Sequence, residues 1–429
     1  MTATPLARTR ARTTARRLPP TVAFWMLAAT LAFLFFASGA PSPLYVVYQS
    51  AWHFSPLTLT SVFAVYVLAL MAALVLAGSL SDRVGRRPVL LVALPVQLLG
   101  MVLFALAHDV SLLFAARIVQ GLATGVATGA ISASLIDLQP SHRPSLGALL
   151  SSAAPMLGLA AGALGSGLLV QYAPDPMRLV YWLLVGVFAL ATLAVAVMPE
   201  PVEDRGARWA TALRPQIGIP REVRSTFLAV TPILIATWAL GGLYLSLGPS
   251  LAATLLHSSS HVTGGLVIVA LTATGAIASV AVRSRRPEHA MIGGAVLLAV
   301  GVGLTLLGLN QGSTALFFVG SAIAGLGFGP GFGGAFKTII MLAPAAGRAG
   351  LIAAIYVLAY LGFSLPAIAA GVAVSHQGLL HTTNVYGFAV MALAVWAAVV
   401  SVLRQRRGGF AAAAAPRLRG CAAAPQRSS

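Results

Sequence analysis

Eleven residues, Gly78-Ser-Leu-Ser-Asp82-Arg83-Val-Gly85-Arg86-Arg87-Pro88, bring one carboxylate, three guanidinium groups and two glycines into one short segment. Gly78 and Gly85 allow a tight helix–turn–helix. A carboxylate among three arginines is held ionised by charge-assisted hydrogen bonds, and it can also meet the positive N-terminal end of a neighbouring helix. This is the chemistry of an ion-paired latch rather than of catalysis. The rival reading is a basic loop with an incidental acid.

Few other residues offer chemistry. Arg117 lies inside an apolar stretch, where a cation costs about 2.5–3.5 kcal/mol on insertion scales, so it should face a protein interior or snorkel outward. Asp137 and Arg143 stand close in sequence and are candidates for proton handling at an inner mouth. Of the other acids, Asp109, Asp175 and Glu288 fall in loops, and Glu200, Glu203, Asp204 and Glu222 in one polar segment. Histidines titrate near neutral pH, and His53, His108, His257, His261, His376 and His381 fall near the ends of apolar runs, where interfacial decoration is the simpler role. Lys337 is suited either to an anionic solute or to snorkelling. No paired nucleophile and base occurs. The single cysteine, Cys421, has no metal-ligand spacing around it, and no phosphate-binding G-x-x-x-x-G-K-[ST] loop is present. The reading is therefore of a non-enzyme without cofactor or metal.

The elements that must position these groups are membrane helices. Apolar residues make up 58% of the 429-residue chain and charged residues 8%, against about 25% charged in soluble domains. Twelve apolar runs are long enough to span: 22–46, 57–80, 88–107, 111–136, 146–170, 179–198, 226–253, 262–282, 290–309, 314–340, 348–373 and 384–403. Backbone groups in hydrocarbon must be satisfied within their own segment, so these are helices, and barrel-type alternation is absent. The first run follows Arg8, Arg10, Arg12, Arg16 and Arg17 and is too long for a signal-peptide core. The net charge of +18 comes from arginines set between apolar blocks, which argues against nucleic acid. With the N-terminus inside, 24 of the 27 basic residues fall in inside segments, as the positive-inside rule requires. Both termini are then cytoplasmic. The chain divides into a basic tail 1–21, a six-helix bundle 22–198, a linker 199–225, a second bundle 226–403 and a basic, Ala-rich tail 404–429.

The bundles are related by an internal repeat. Gly121-Leu-Ala-Thr-Gly125 with Gly129 matches Gly325-Leu-Gly-Phe-Gly329 with Gly333 at an offset of 204, and Gly158 falls on Gly362 at the same offset. Arg86-Arg87-Pro88 matches Arg285-Arg286-Pro287 at an offset of 199. Glycines at i, i+4 and i+8 share a helix face and let backbones approach. Parallel six-span repeats imply two bundles about an axis along the membrane normal, with a solute site between them.

The 78–88 segment resembles the signature loop G-x-L-x-D-R-x-G-R-[RK] of the major facilitator superfamily at every position, and the resemblance covers roughly residues 20–405. It implies an all-α polytopic fold of twelve transmembrane helices in two pseudo-symmetric six-helix bundles. It also implies that Asp82, with Gly78, Arg83, Gly85, Arg86 and Arg87, latches the halves in an outward-open state. Arg283-Ser-Arg-Arg-Pro287 lacks the acid and both glycines, so any latch is asymmetric. Arg117-Ile-Val-Gln120-Gly121 resembles the family's R-x-x-Q-G motif, whose arginine is linked to proton transfer in its antiporters. Ala154-Pro155-Met-Leu-Gly158 through Gly162 resembles, imperfectly, the g-x-x-x-G-P-x-x-G-G segment of drug antiporters. The acid that many of those antiporters carry in their first span is absent.

Trp25, Phe33, Tyr45, Trp238, Tyr244, Phe328, Phe332, Phe336, Tyr356 and Tyr360, with Lys337, are candidates to line an apolar cavity, core and lipid-facing roles being the alternative for each. Few polar anchors and no central acid suit a lipophilic solute better than a sugar. The reading is a monomeric secondary transporter in a bacterial cytoplasmic membrane, moving a small lipophilic solute by proton-coupled efflux. Alternatives are transport of a specific sugar, organic acid or amino acid, and, in a different class, a non-transporting sensor or scaffold.

Overall fold

The computed structural model describes residues 18–78, 80–202, 217–344 and 347–406. The expected tails lie largely outside these residues, as do Cys421 and the linker acids Glu203 and Asp204. Among the described residues there is no strand, and twelve helices are long and apolar enough to cross a bilayer. These are α1 Pro20–Trp52, α2 Pro56–Ala77, α3 Arg86–Ala105, α4 Val110–Asp137, α5 Leu146–Tyr172, α6 Leu179–Ala196, α7 Arg221–Thr254, α8 His261–Ala281, α9 Pro287–Gln311, α10 Thr314–Leu342, α11 Arg348–Gln377 and α12 Leu379–Arg406.

Local chemistry sets the ends. Ser55 accepts from the Thr58 amide at 3.1 Å and Asp109 from the Leu112 amide at 2.8 Å, capping α2 and α4. Asp109 is thereby a helix cap. His53 caps α1 and His257 follows two residues after the cap of α7, both at positive φ, 51° and 52°, and they are 204 residues apart, a further trace of the repeat. α1 runs six residues past its expected end at 46 because Ala40 interrupts it without stopping it. Pro41 has no N–H to return to the carbonyl of Ala37, four residues back, and Pro43 removes another donor.

Packing repeats with a shift of six helices. α1 packs on α5, α2 on α4, and α3 on α4 and α6. In the same way α7 packs on α11, α8 on α10, and α9 on α10 and α12. One apolar core is built from α1–α6 and takes in Leu243, Leu245, Leu247, Ile268, Tyr360, Ala367 and Ala370 from the second half, and the other core draws on α7–α12 and the residues flanking them. Large apolar side chains such as Val92, Leu190, Leu228 and Trp396 point outward, which fits hydrocarbon as the surrounding solvent.

The halves meet through α5 against α8 and α2 against α11. The close contacts are at the end away from the 78–88 loop. The Phe63 and Phe363 rings lie 5.2 Å apart. Gly371 abuts Thr60, and Gly265 abuts the Ala163 carbonyl. The His261 amide donates to Gln171 Oε1 at 3.0 Å.

Candidate functional site

The signature loop folds as a short helical turn, Leu80–Val84, followed by Gly85 at φ +111°. Only glycine adopts that backbone without strain, and a Cβ there would also lie 2.8 Å from Glu200 Oε2. Gly78, in contrast, sits in the right-handed helical region at φ −58°, so of the two expected glycines only Gly85 uses its conformational freedom. Arg86 is 9% exposed and binds three side chains: Asp82, Ser81 at 2.8 Å and Asp137 at 3.2 Å. The Arg87 guanidinium donates to the Ala196 carbonyl, and Arg83 is half-buried. Asp137 is thus brought to Arg86 rather than to Arg143, which is exposed.

Sequence reasoning missed Glu200. Its two carboxylate oxygens accept from the Arg86 and Arg87 amides at 2.9 and 3.0 Å, covering the positive N-terminus of α3. The available signal was its place, immediately after the sixth span and on the same side as the loop. These bonds fasten the loop and the start of α3 to the end of α4 and to the exit of α6.

Arg117 does not snorkel. It is 0% exposed. It donates to the Tyr45 hydroxyl, to Gln120 Oε1 at 2.8 Å and to the Ser38 carbonyl at 3.5 Å. Its guanidinium carbon lies 4.9–5.6 Å from the ring centroids of Tyr66, Tyr45 and Phe104, contacts worth about 2 kcal/mol each when desolvated. Gln120 in turn donates to the Ala37 carbonyl at 2.8 Å. Tyr66 donates to Ser38 at 2.7 Å, and Thr124 to Gln97 at 3.2 Å. The R-x-x-Q segment thus joins α4 to the break in α1.

The glycine rows act alike in both halves. Gly121 and Gly125 receive the Tyr66 and Leu70 carbonyls of α2, and Gly325 and Gly329 receive carbonyls of Leu271 and Gly275 on α8. The third glycine of each row, Gly129 and Gly333, faces open space. Gly158 and Gly162 take carbonyls of Ala32 and Phe36 on α1, one turn and two beyond the half-buried Pro155.

The aromatic candidates separate into groups. Trp238 lies edge-on to Tyr360 at 4.8 Å, Phe332 at 5.4 Å and Phe363 at 5.5 Å. Tyr356 joins through Tyr360 and Phe336, each at 6.0 Å. With Phe63 from α2 these rings form one wall across the junction of the halves. Phe63 and Phe363 were not anticipated, since single phenylalanines in apolar spans carry no sequence signal. Tyr45 and Tyr244 are enclosed in their own halves, Tyr45 on Arg117 and Tyr244 on Ser321 at 2.7 Å. Phe328 packs between α7 and α8, close to Gly241 and Gly275. Trp25 and Phe33 are exposed on α1, and Lys337 is exposed beside Phe336. A groove of about 690 Å³ lies elsewhere, on the outward face of α12 around Phe388, Val395 and Trp396.

The chain matches the Major Facilitator Superfamily over residues 27–287, more than half its length. The chain belongs to the major facilitator superfamily. It is a multi-pass membrane protein of a family whose members are transporters rather than enzymes. Multidrug resistance protein MdtL of Escherichia fergusonii is 29% identical to this facilitator over 137 residues, 32% of this chain and 33% of that one. A triacylglyceride transporter of Mycolicibacterium hassiacum is 31% identical over 144 residues, 33% of this chain and 26% of that one. The match thus spans a third or less of these relatives' length. Among solved structures, a bacterial homologue of the human lysosomal transporter Spinster, inward-facing and unoccupied, superposes with a TM-score of 0.73 at 13% identity, over 89% of this chain and 97% of that one. A D-xylose–proton symporter gives 0.67 at 16% identity, over 88% and 97%. Both share its fold.

Proposed function

We propose that this facilitator exports a small lipophilic solute across the bacterial cytoplasmic membrane by alternating access, driven by the proton-motive force. The observation that carries the reading is the wall of Trp238, Phe332, Tyr356, Tyr360 and Phe363, closed by Phe63 from the other half. A site at the junction of two moving bodies is where binding couples to motion, and apolar rings with few convergent polar groups suit a lipophilic guest. The relatives' names, multidrug resistance and triacylglyceride transport, point the same way.

In this reading residues 22–198 and 226–403 rock as two bundles joined by 199–225, and the chain works as a monomer. Both termini and the signature loop are cytoplasmic, in keeping with the arginine distribution. Asp82 with Arg83, Arg86 and Arg87 fastens one state of the cycle. The packed far ends suit a carrier that loads from the cytoplasm.

The test is uptake of a compound panel into inverted membrane vesicles, with and without a protonophore. Lipophilic compounds should accumulate, and the protonophore should abolish accumulation. Flux confined to sugars or amino acids would overturn the solute class, and protonophore-insensitive accumulation would overturn the coupling.

A further inference from the structure

Away from the terminal turns of the twelve helices, Arg117 and Lys337 are the only side chains among Asp, Glu, His, Lys and Arg. Both are cations. Among the described residues neither has a carboxylate within ion-pair distance. Arg117 is enclosed by neutral groups, the Tyr45 hydroxyl, the Gln120 amide and a backbone carbonyl. Lys337 is exposed next to Phe336, which touches the aromatic wall at Tyr356.

Folding does not demand a charge at the Arg117 position. The residue 204 further along the repeat is Ser321, and there the second half uses a neutral pair, Ser321 with the Tyr244 hydroxyl at 2.7 Å. The guanidinium is therefore an addition to a site that its counterpart completes with hydroxyls. An uncompensated charge in a low-dielectric interior acts over long distances, and a region walled by one sign of charge concentrates ions of the other.

We infer that the solute is an organic anion with an apolar or aromatic body, and that the membrane potential, the electrical component of the proton-motive force, is what drives its export. The inference rests on the aromatic-wall reading above and specifies the charge of the guest. A cytoplasm at −100 mV favours outward movement of a monoanion by about 50-fold. Such a carrier needs no side chain that binds and releases a proton, which accounts for an interior without carboxylates.

The test uses three isosteres on the purified full chain: 1-naphthalenesulfonate, 1-naphthalenesulfonamide and trimethyl(1-naphthyl)ammonium. Calorimetric titration should give the sulfonate at least tenfold tighter binding than the ammonium, with the sulfonamide between. In proteoliposomes at uniform pH, a valinomycin–potassium potential should drive sulfonate toward the positive side, above the leak of protein-free vesicles. Lys337→Gln and Arg117→Gln should each lower the sulfonate-to-ammonium ratio threefold or more, and the exposed Lys337 position keeps the test valid if Arg117→Gln fails to fold. Ammonium binding as tight as sulfonate, sulfonate flux indifferent to the potential, or a ratio unchanged in Lys337→Gln and in any folded Arg117→Gln would overturn the inference. Tight sulfonamide binding without charge preference would leave the lipophilic-solute reading standing and remove this one. Failure of all three to bind would remove both.

Discussion

Gln120 donates from its side-chain amide to the carbonyl of Ala37 at 2.8 Å, the carbonyl that Pro41 leaves without a helical partner. The same Gln120 accepts from Arg117 at 2.8 Å through its other terminal atom. One amide therefore closes a break in α1 and orients Arg117. In hydrocarbon an unsatisfied carbonyl is costly, so the glutamine of the R-x-x-Q segment has a reason to be there that is independent of transport.

Gln120→Leu should destabilise the protein by about 1–3 kcal/mol, the penalty for leaving buried partners unpaired. Gln120→Glu can still accept from Arg117 but cannot donate to Ala37. It should therefore be less stable than the native chain while keeping Arg117 in place. Thermal unfolding of the purified protein in detergent measures both, and a midpoint unchanged in Gln120→Leu would contradict the assignment.

The loop network predicts separable effects. Asp82 is 59% exposed at its side chain while its partner Arg86 is 10% exposed, so Asp82→Asn removes one ion pair and leaves Arg86 held by Asp137 and Ser81. Transport should slow severalfold with expression and solute affinity largely kept. Glu200→Gln keeps only part of the cap on the Arg86 and Arg87 amides and should lower stability by about 1 kcal/mol. Initial rates and unfolding midpoints on the two variants separate the roles, and native turnover in Asp82→Asn would count against the latch.

The glycine rows give a positional test within one motif. Gly125 and Gly329 lie against backbone carbonyls of the neighbouring helix, which cannot yield, whereas Gly129 and Gly333 face open space. Gly125→Val or Gly329→Val should each destabilise by about 1–3 kcal/mol through overpacking and reduce the yield of folded protein. Gly129→Val and Gly333→Val should be tolerated. Size-exclusion profiles of the four variants decide, and equal behaviour along a row would mean that the row does not set the helix spacing.

Much of this architecture was legible in the chain. Span number and order follow from apolar runs, because hydrocarbon leaves the backbone one local solution. The repeat follows from glycine spacing, because backbone contact requires it. The loop network was half legible: Asp82 and its arginines announce themselves, but the partners Asp137 and Glu200 come from distant segments. Position alone does not reveal which acid meets which base. The aromatic wall was the least legible. Trp238, Phe332, Tyr356 and Tyr360 look no different in sequence from Tyr45 and Tyr244, which the fold encloses elsewhere. Phe63 and Phe363 acquire meaning only when the halves meet.

Ring truncation in that wall should lower affinity without unfolding the chain. Trp238 touches three other rings, and Trp238→Ala should weaken binding of a lipophilic transported compound by tenfold or more. Phe336→Ala, at the edge of the wall, should cost less. Equilibrium binding to the purified variants reads this directly, and equal affinities for native and Trp238→Ala protein would show that the guest binds elsewhere.

The meeting of the halves at the far end gives the last prediction. A Cβ on Gly371 would lie 3.0 Å from the Thr60 Cβ, just short of the roughly 3.5–4.5 Å span of a disulfide, so a slight parting of α2 and α11 brings two cysteines to bonding distance. The chain has one cysteine, Cys421, so Cys421→Ser supplies a clean background. In it, the Thr60→Cys, Gly371→Cys double variant should cross-link under mild oxidation, with a mobility shift that reductant reverses. Alternating access requires α2 and α11 to part at this end once per cycle. The oxidised protein should therefore retain less than a tenth of its transport and recover on reduction, while Thr60→Cys alone transports equally under both conditions. A cross-linked protein that still turns over would show that the far end need not open.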